Sequence, residues 1–209
     1  MTGRIIETDA CVAEGADWLA ARHPRLAEAY ALTGPLPLRR RPDGFAELLS
    51  AIVSQQVSTA SAAAIWGRMA AAGLVTPEAV AAASDDDLRG CGLSRPKLRY
   101  ARALAGATLD YSALRRLPDE ALIAELVALP GIGRWTAEIY ALFALGRADV
   151  FAAGDLALQE AARLLFELEA RPSERVLATM AEDWRPWRGV AARLLWAYYR
   201  VAKAREGIR

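Results

Sequence analysis

The sequence predicts an all-α fold, and three observations carry that prediction. No stretch shows the sustained two-residue alternation of β-branched residues that a half-buried strand needs. Alanine, leucine, glutamate and arginine dominate the chain, and these residue types favour helices. Prolines, glycines and N-capping residues divide the chain into pieces of helical length. Together they predict about ten helices, in the length range usual for globular proteins.

Local start and stop signals define these helices in order. Thr76 and Pro77 supply an N-cap and a first-turn proline, and the run SDDD at residues 84–87 starts a short helix that Gly90 stops. A Pro- and Arg-rich passage at residues 34–42 is typical of a linker. The predicted helices cover or begin at Asp9–Arg22, residues 45–71, Pro77, Ser84, residues 94–107, residues 118–128, Gly133, Asp155, Pro172 and residues 186–205.

The composition excludes several classes of protein. Of the 209 residues, 54% are hydrophobic and 24% are charged, which supports a core and excludes a disordered chain. No apolar run approaches the roughly 18–20 residues of a membrane span. Two cysteines and one histidine cannot build a four-thiolate zinc site or a cysteine-ligated iron–sulfur cluster. We therefore expect no redox cofactor and no catalytic metal, although a carboxylate metal site stays open.

The N-terminal residues carry acids and no apolar h-region, so we expect a cytoplasmic protein. A monomer is the simplest expectation.

The basic residues are almost all arginines. Only Lys97 and Lys203 are lysines among the 26 basic residues, a bias that fits a GC-rich genome as well as phosphate binding. The C-terminal end is locally basic, because residues 184–209 hold one acid, Glu206, and seven basic residues. These are Arg185, Arg188, Arg193, Arg200, Lys203, Arg205 and Arg209. This distribution favours a nucleic-acid partner slightly.

The sharpest local signal is a glycine hairpin, LPGIGRWTA, at residues 129–137. Two predicted helices flank a tight turn with alternate glycines, which permit a positive φ and a close approach of another backbone. The turn also opens the second helix, whose first N–H groups favour an anion. The two glycines alone fit an ordinary αα-hairpin at least as well as a phosphate site.

The full run resembles the helix–hairpin–helix of DNA repair glycosylases, and further motifs extend this resemblance. They are AIVSQQVS at residues 51–58, GLSRPK at 92–97, VFAAGDL at 150–156 and WRPWR at 184–188. The chain is identified as a member of the 3-methyladenine DNA glycosylase II family, in a compact form without an N-terminal β-domain. One departure is Ala152, which stands where the family commonly has proline.

The resemblance implies a role for the hairpin in binding double-stranded DNA. Backbone amides of the hairpin would grip one phosphate, a contact that carries no sequence information. The implied DNA-binding residues of this segment are Gly131, Gly133, Arg134 and Thr136. Family members often hold a monovalent cation, Na⁺ or K⁺, at hairpin carbonyls, which here would be those of Val127, Leu129 and Ile132.

Gln55 and Gln56 are further candidates for DNA contact. A flipped base leaves a gap in the duplex that repair enzymes commonly fill with a wedged side chain. The resemblance puts this wedge near Gln56, where some relatives have leucine. The alternative that these glutamines cap neighbouring helix ends stays open, above all for Gln55.

Asp155 is the candidate catalytic residue. From the residues alone it fits a plain N-cap, because an apolar helical run follows it. The two roles are compatible, since a helix N-terminus favours a charged carboxylate. Such a carboxylate can stabilise an oxocarbenium-like sugar and orient or deprotonate water. An alkylated purine leaves as a neutral base, so one carboxylate suffices where O-glycosidases need two.

The resemblance also implies an aromatic pocket for the flipped base. Trp135 and Trp196 would flank this base, and Tyr140 and Ile139 would line the pocket. At about 100° per residue, Trp196 lies opposite the apolar face of the last helix, on a stripe with Arg193. A cationic purine over an indole gains roughly 0.5–2 kcal/mol that a neutral base does not.

The scarcity of lysine predicts hydrolysis without strand cleavage. Glycosylases that also nick DNA use an amine to form a Schiff base with the sugar. Related bifunctional enzymes carry this lysine after the hairpin glycines, where this chain has Trp135. We therefore expect a monofunctional glycosylase that leaves an abasic site.

The motifs predict two helical lobes with the active site in a cleft between them. Residues 45–148 would form the lobe with the hairpin, and residues 1–44 and 149–209 would form the other. Two alternatives remain at this stage. One is a non-catalytic helix–hairpin–helix protein that binds DNA structures or lesions, and the other is an α-helical protein–protein module.

Overall fold

The computed structural model describes residues 3–207, with side chains up to residue 204. Within this part of the chain it contains thirteen α-helices, one short 3₁₀ helix and no β-strand, so the all-α prediction is confirmed. The α-helices are α1 Asp9–Arg22, α2 Pro24–Thr33, α3 Phe45–Ser54, α4 Thr59–Ala71, α5 Pro77–Ala82, α6 Asp85–Gly90, α7 Arg95–Gly106, α8 Tyr111–Leu114, α9 Asp119–Val127, α10 Arg134–Phe143, α11 Leu156–Leu165, α12 Glu174–Ala181 and α13 Arg188–Gly207.

Three helices exceed the ten that the breakers predict. Two are the ten-residue α2 and the four-residue α8, which the sequence analysis did not predict. The third arises because the helix predicted over residues 45–71 is divided in two. That prediction was wrong at residues 55–58. Gln56 adopts a left-handed conformation with φ +54°, and Ser58 accepts a hydrogen bond from the Ser61 amide at 3.2 Å as the N-cap of α4. The polar residues that interrupt the apolar run therefore form a turn.

One compact unit comprises Arg41–Tyr140. Its core is built from the apolar faces of α3, α7 and α9, including the fully buried Leu48, Ile52 and Leu122. Helix α3 packs against α4 and α7, and α5 packs against α7. Arg102 on α7 donates to the carbonyls of Val80 and Ala83, which satisfies groups at the C-terminal end of α5. This core fixes α3 and the hairpin between α9 and α10.

The second unit comprises Gly3–Arg40 and the chain from Ala141 onwards. Helix α13 lies at its centre and packs against α1, α2 and α11. Its residues Val190, Leu194 and Leu195 are completely buried. The sequence predicts that the hairpin lobe begins at residue 45 and ends at residue 148. The compact unit begins at Arg41 and ends at Tyr140, which lies inside α10.

The basic stripe that the sequence predicts along α13 is interrupted at Arg193, although Arg200 and Lys203 are exposed. Arg193 is only 2% exposed, because neighbours surround this helix on several sides. Arg185 and Arg188 form ion pairs with Asp149. The side chain of Arg205 and residue Arg209 lie outside the described residues. The local excess of basic residues is therefore not one continuous cationic surface.

None of the helices in the described part of the chain has the length and apolar character needed to cross a membrane.

Candidate active site

Asp155 is the N-cap of α11, as its sequence context predicts. Its Oδ1 accepts hydrogen bonds from the backbone amides of Ala157 at 2.9 Å and Leu158 at 3.0 Å. These are the first amides of the helix, which have no partner within the helix itself. The carboxylate is half-buried, and its orientation is fixed by the start of α11.

The loop before Asp155 is held by a polar residue that the sequence analysis missed. Gln159 is buried one turn into α11, and its Nε2 donates to the carbonyl of Ala153 at 2.9 Å. The amide of Asp155 itself donates to the carbonyl of Ala152 at 2.9 Å. The sequence feature that could have revealed this contact is a glutamine four residues after Asp155, within an otherwise apolar run. The loop therefore presents Asp155 from a backbone fixed on both sides.

Trp196 is a third donor to the same carboxylate oxygen. The indole Nε1 of Trp196 lies 3.3 Å from Oδ1 of Asp155, a contact between α13 and α11. The ring of Phe143 lies 5.7 Å from the Trp196 ring, and the guanidinium of Arg193 lies 4.9 Å from the centre of Phe143. Oδ1 thus receives three N–H donors, which fix the orientation of this carboxylate.

A close backbone approach sets the position of α13 within this unit. Gly189 donates from its amide to the carbonyl of Ala148 at 2.7 Å. A Cβ at this position would lie 2.9 Å from the carbonyl oxygens of Arg147 and Ala148, so only glycine fits without a shift. This contact joins the start of α13 to the segment that leads to Asp155.

The predicted hairpin lies in the other unit and joins α9 to α10. Gly131 has φ +88°, and a Cβ there would lie 2.4 Å from Cγ of Tyr100. The Nε2 of Gln55 donates to the carbonyl of Gly131 at 2.8 Å. An open groove of about 840 Å³ runs along the hairpin. Its lining includes Ser54, Gln55, Gln56, Val127, Leu129, Gly131, Ile132, Gly133, Trp135 and Thr136.

Residues 49–186, which include both the hairpin and Asp155, match the HhH-GPD superfamily of base excision DNA repair proteins. The chain belongs to this superfamily.

Several of the proteins to which this chain is similar are named as 3-methyladenine DNA glycosylases. DNA-3-methyladenine glycosylase 1 of Schizosaccharomyces pombe is 31% identical over 178 residues, which cover 81% of this chain and 78% of that protein. A solved structure of the S. pombe 3-methyladenine DNA glycosylase in complex with abasic DNA has a TM-score of 0.75 at 30% identity and covers 88% of this chain and 95% of that one. The structure of DNA-3-methyladenine glycosidase from Bacillus halodurans has a TM-score of 0.83 at 32% identity and covers 96% of this chain and 94% of that one.

The structure gathers most of the residues that the resemblance assigns to DNA binding. Gln55, Gln56, Gly131, Gly133 and Thr136 all line the hairpin groove of this HhH-GPD chain. Their positions come from three separate segments, at the end of α3, in the hairpin and at the start of α10. Their contact with DNA stays a prediction.

The two glutamines have different surroundings. Gln55 is half-buried and holds the hairpin through the carbonyl of Gly131, which is close to the structural alternative that the sequence left open. Gln56 is exposed in a left-handed conformation, at the turn between α3 and α4. Lys97 holds the end of α3 before this turn, because its Nζ donates to the carbonyl of Val53 at 2.6 Å. Lys97 is buried, and burial lowers the pKa of its amine.

Arg134 is not an isolated positive charge. Its guanidinium forms ion pairs with Glu138 at 2.9 Å and with Glu120 at 3.3 Å. Desolvation is the largest single influence on the pKa of Arg134 and lowers it, but the two carboxylates together outweigh it, so the pKa is raised. Any contact of Arg134 with a phosphate therefore competes with two carboxylates.

The aromatic candidates differ in exposure. Trp135 is 48% exposed and Ile139 is half-buried one turn further along α10, so the two share one face of this helix. Tyr140 is buried, and its hydroxyl accepts a hydrogen bond from the Gly44 amide at 2.9 Å. Burial raises the pKa of Tyr140. The structure therefore gives Tyr140 a contact that fixes the start of α3, and its role in a base pocket stays a prediction.

Among the described residues, the histidine, cysteine and acidic side chains form no group of three or more that could hold a metal ion.

Proposed function

We propose that this protein hydrolyses the N-glycosidic bond of alkylated purines in duplex DNA and leaves an abasic site. The substrate class is that of 3-methyladenine and 7-methylguanine. The observation that carries the proposal is the Asp155 carboxylate, whose Oδ1 receives two helix amides and the Trp196 indole N–H. Membership of the base excision repair superfamily and the names of its similar proteins support the same reaction class.

In this mechanism Asp155 acts as an ionised carboxylate beside the sugar. As the bond between the sugar and the purine breaks, positive charge develops on the sugar ring, and a fixed negative charge stabilises it. The carboxylate also orients or deprotonates the water that attacks the sugar carbon. Because three donors fix Oδ1 before substrate binds, the group needs little reorganisation during the reaction.

The charge of the substrate makes a second acid unnecessary. A purine alkylated at N3 or N7 already carries a positive charge, so it departs as a neutral base without protonation. Trp135 and Trp196 are the proposed stacking partners for this cation, with a gain of roughly 0.5–2 kcal/mol over a neutral base. The exposed indole of Trp135 fits such a role, because no core packing requires its exposed half.

The hairpin groove is the proposed site for the DNA backbone. The amides at the start of α10 favour an anion, and the groove is open enough for a phosphate to approach them. Gln56 would fill the gap left by the flipped base. Val127 is the last residue of α9, and Leu129 and Ile132 lie in the hairpin that follows it. Carbonyls at a helix end lack partners within the helix, and such oxygens suit a Na⁺ or K⁺ ion. This ion would be structural.

The proposed reaction has no lyase step. A Schiff base needs an amine that can reach the sugar, and Trp135 occupies the position after the hairpin glycines. Lys97 is buried against the Val53 carbonyl, and Lys203 lies 5.9 Å from the ring of Tyr199. Both amines thus have structural contacts of their own.

The test is base release from methylated duplex DNA, with the native protein compared with Asp155→Asn. We expect release of 3-methyladenine that is lost in the variant, while the affinity for DNA is retained. Strand breaks should appear only after alkali treatment. Tight DNA binding without release by the native protein would favour a non-catalytic lesion-binding protein. Breaks without alkali, together with a borohydride-trapped adduct, would contradict the monofunctional mechanism.

A further inference from the structure

Three arginines gather in the unit that carries Asp155. Arg39 and Arg40 are consecutive and exposed, in the segment between α2 and α3. Arg193 lies on α13, and its Nη2 approaches the carbonyl of Leu38, the residue before Arg39, at 3.4 Å. This contact ties the segment to the buried guanidinium and brings three positive charges together.

Arg193 holds its charge in an apolar setting. It is 2% exposed, and its partners are neutral: the carbonyls of Gly189 and Leu142, and the ring of Phe143. Its Nε has no hydrogen-bond partner. Desolvation, together with the positive charges of Arg39 and Arg40, lowers the pKa of Arg193 to about 10. Such a charge is screened far less than one at the surface.

Arg40 is exposed and is close enough to Arg193 for its positive charge to act on that residue. Its guanidinium lies against Gly146, where a Cβ would be 2.2 Å from Nη1, so the side chain is placed by the backbone below it. Among the described residues, no carboxylate lies within ion-pair distance of Arg40 or Arg193. The next residue, Arg41, differs because it pairs with Glu47.

We propose that Arg39 and Arg40, in the segment that the buried Arg193 contacts, bind one backbone phosphate of DNA. A guanidinium presents paired N–H donors that match the oxygens of a phosphate. The two binding arginines are on open surface, which suits a phosphodiester within a long strand better than an enclosed small anion. The proposal rests on the DNA-binding part of the proposed function and not on its excision chemistry.

The cluster is joined to the candidate catalytic residue through packed side chains. Phe143 contacts Arg193 on one side and Trp196 on the other, and Trp196 donates to Asp155. A phosphate held by this cluster would therefore fix the DNA relative to α13, the helix whose Trp196 donates to Asp155.

The experiment measures the affinity for undamaged duplex DNA by fluorescence anisotropy between about 50 and 200 mM salt. The test variant is Arg39→Ala with Arg40→Ala. The control, Arg22→Ala with Arg25→Ala, removes the same charge from α1 and α2 of the same unit, where Arg22 is exposed and the half-buried Arg25 is ion-paired with Glu28 and Glu167. One lost phosphate contact lowers the slope of log affinity against log salt by about 0.9. The native protein should thus lose about 3.5-fold more affinity than the test variant over this fourfold range.

We expect the double lysine variant, Arg39→Lys with Arg40→Lys, to keep the slope, since it keeps the charge. We also expect millimolar inorganic phosphate to leave the thermal midpoint of the native protein unchanged. A test variant whose slope and affinity match those of the control would overturn the proposal. So would a site that binds inorganic phosphate but leaves DNA affinity unaffected by the substitutions. Because the DNA is undamaged, a failure of base release does not alter either result.

Discussion

The two hairpin glycines allow folding and DNA binding to be separated by single substitutions. At Gly131, alanine meets two costs. The φ of +88° is strained for an L-residue, at about 1–2 kcal/mol, and the added methyl would lie 2.4 Å from Cγ and 2.7 Å from Cβ of Tyr100. Such overpacking typically costs about 1–3 kcal/mol. We expect Gly131→Ala to lower the free energy of unfolding by about 2–5 kcal/mol in total.

Gly133 is the matched control. A Cβ at this position meets no atom within 4 Å, and its φ is not in the left-handed region. Gly133→Ala should therefore leave stability unchanged or raise it by about 0.4–1 kcal/mol, because alanine restricts the unfolded chain. The same methyl would project from the exposed hairpin, at the groove where the phosphate is proposed to bind. We expect this variant to weaken binding to DNA while the fold is intact.

Thermal unfolding and fluorescence anisotropy with duplex DNA measure the two effects. In a chain of this size, 1 kcal/mol corresponds to roughly 2–4 °C, so Gly131→Ala should lower the midpoint by between about 4 and 20 °C. Adding Tyr100→Ala should recover only part of the steric loss, because the Cβ of residue 100 at 2.7 Å remains, and should leave the backbone part. A Gly131→Ala protein as stable as the native one would refute the close approach to Tyr100. Unchanged DNA affinity in Gly133→Ala would refute the hairpin as the phosphate site.

Three further predictions follow from individual contacts. Trp196→Phe removes the indole donor to Asp155 while keeping an aromatic ring. A hydrogen bond to a charged group is worth about 1.5–3 kcal/mol. Single-turnover base release should therefore fall roughly 10- to 100-fold. Gln55→Ala should destabilise the protein by about 1 kcal/mol in denaturant unfolding, whereas Gln56→Gly, which relieves a positive φ, should not destabilise it. The pKa of Cys11 is lowered to about 7, chiefly by the Thr8 side chain. Alkylation of Cys11, followed by mass spectrometry, should therefore rise as the pH passes about 7, and Thr8→Val should move this midpoint towards the usual thiol value of about 8.5.

The helices and their caps follow from local sequence. Helix α1 has the bounds that its flanking residues predict, and Asp155 caps α11. Both depend on groups within about four residues of each other, which a sequence displays directly. The hairpin glycines are local in the same sense. The family resemblance also came from short contiguous motifs, and the match over residues 49–186 confirms the superfamily.

The sequence misjudged features that depend on what surrounds a side chain. Arg193 has the helical position of a stripe residue, yet it is buried because α13 is packed on several sides. The break between α3 and α4 was missed because no glycine or proline marks it, and Gln56 adopts a positive φ there.

The sequence by itself determined an all-α chain with a glycine hairpin and a capping aspartate, because periodicity, breakers and caps act between near neighbours. Only the tertiary structure decided that Gln55 holds a carbonyl 76 residues away in the chain and that the Trp196 indole reaches a carboxylate 41 residues before it. Hydrogen bonds over such separations depend on how whole helices pack. That packing minimises exposed apolar area across the unit, a property that no single segment of the sequence contains.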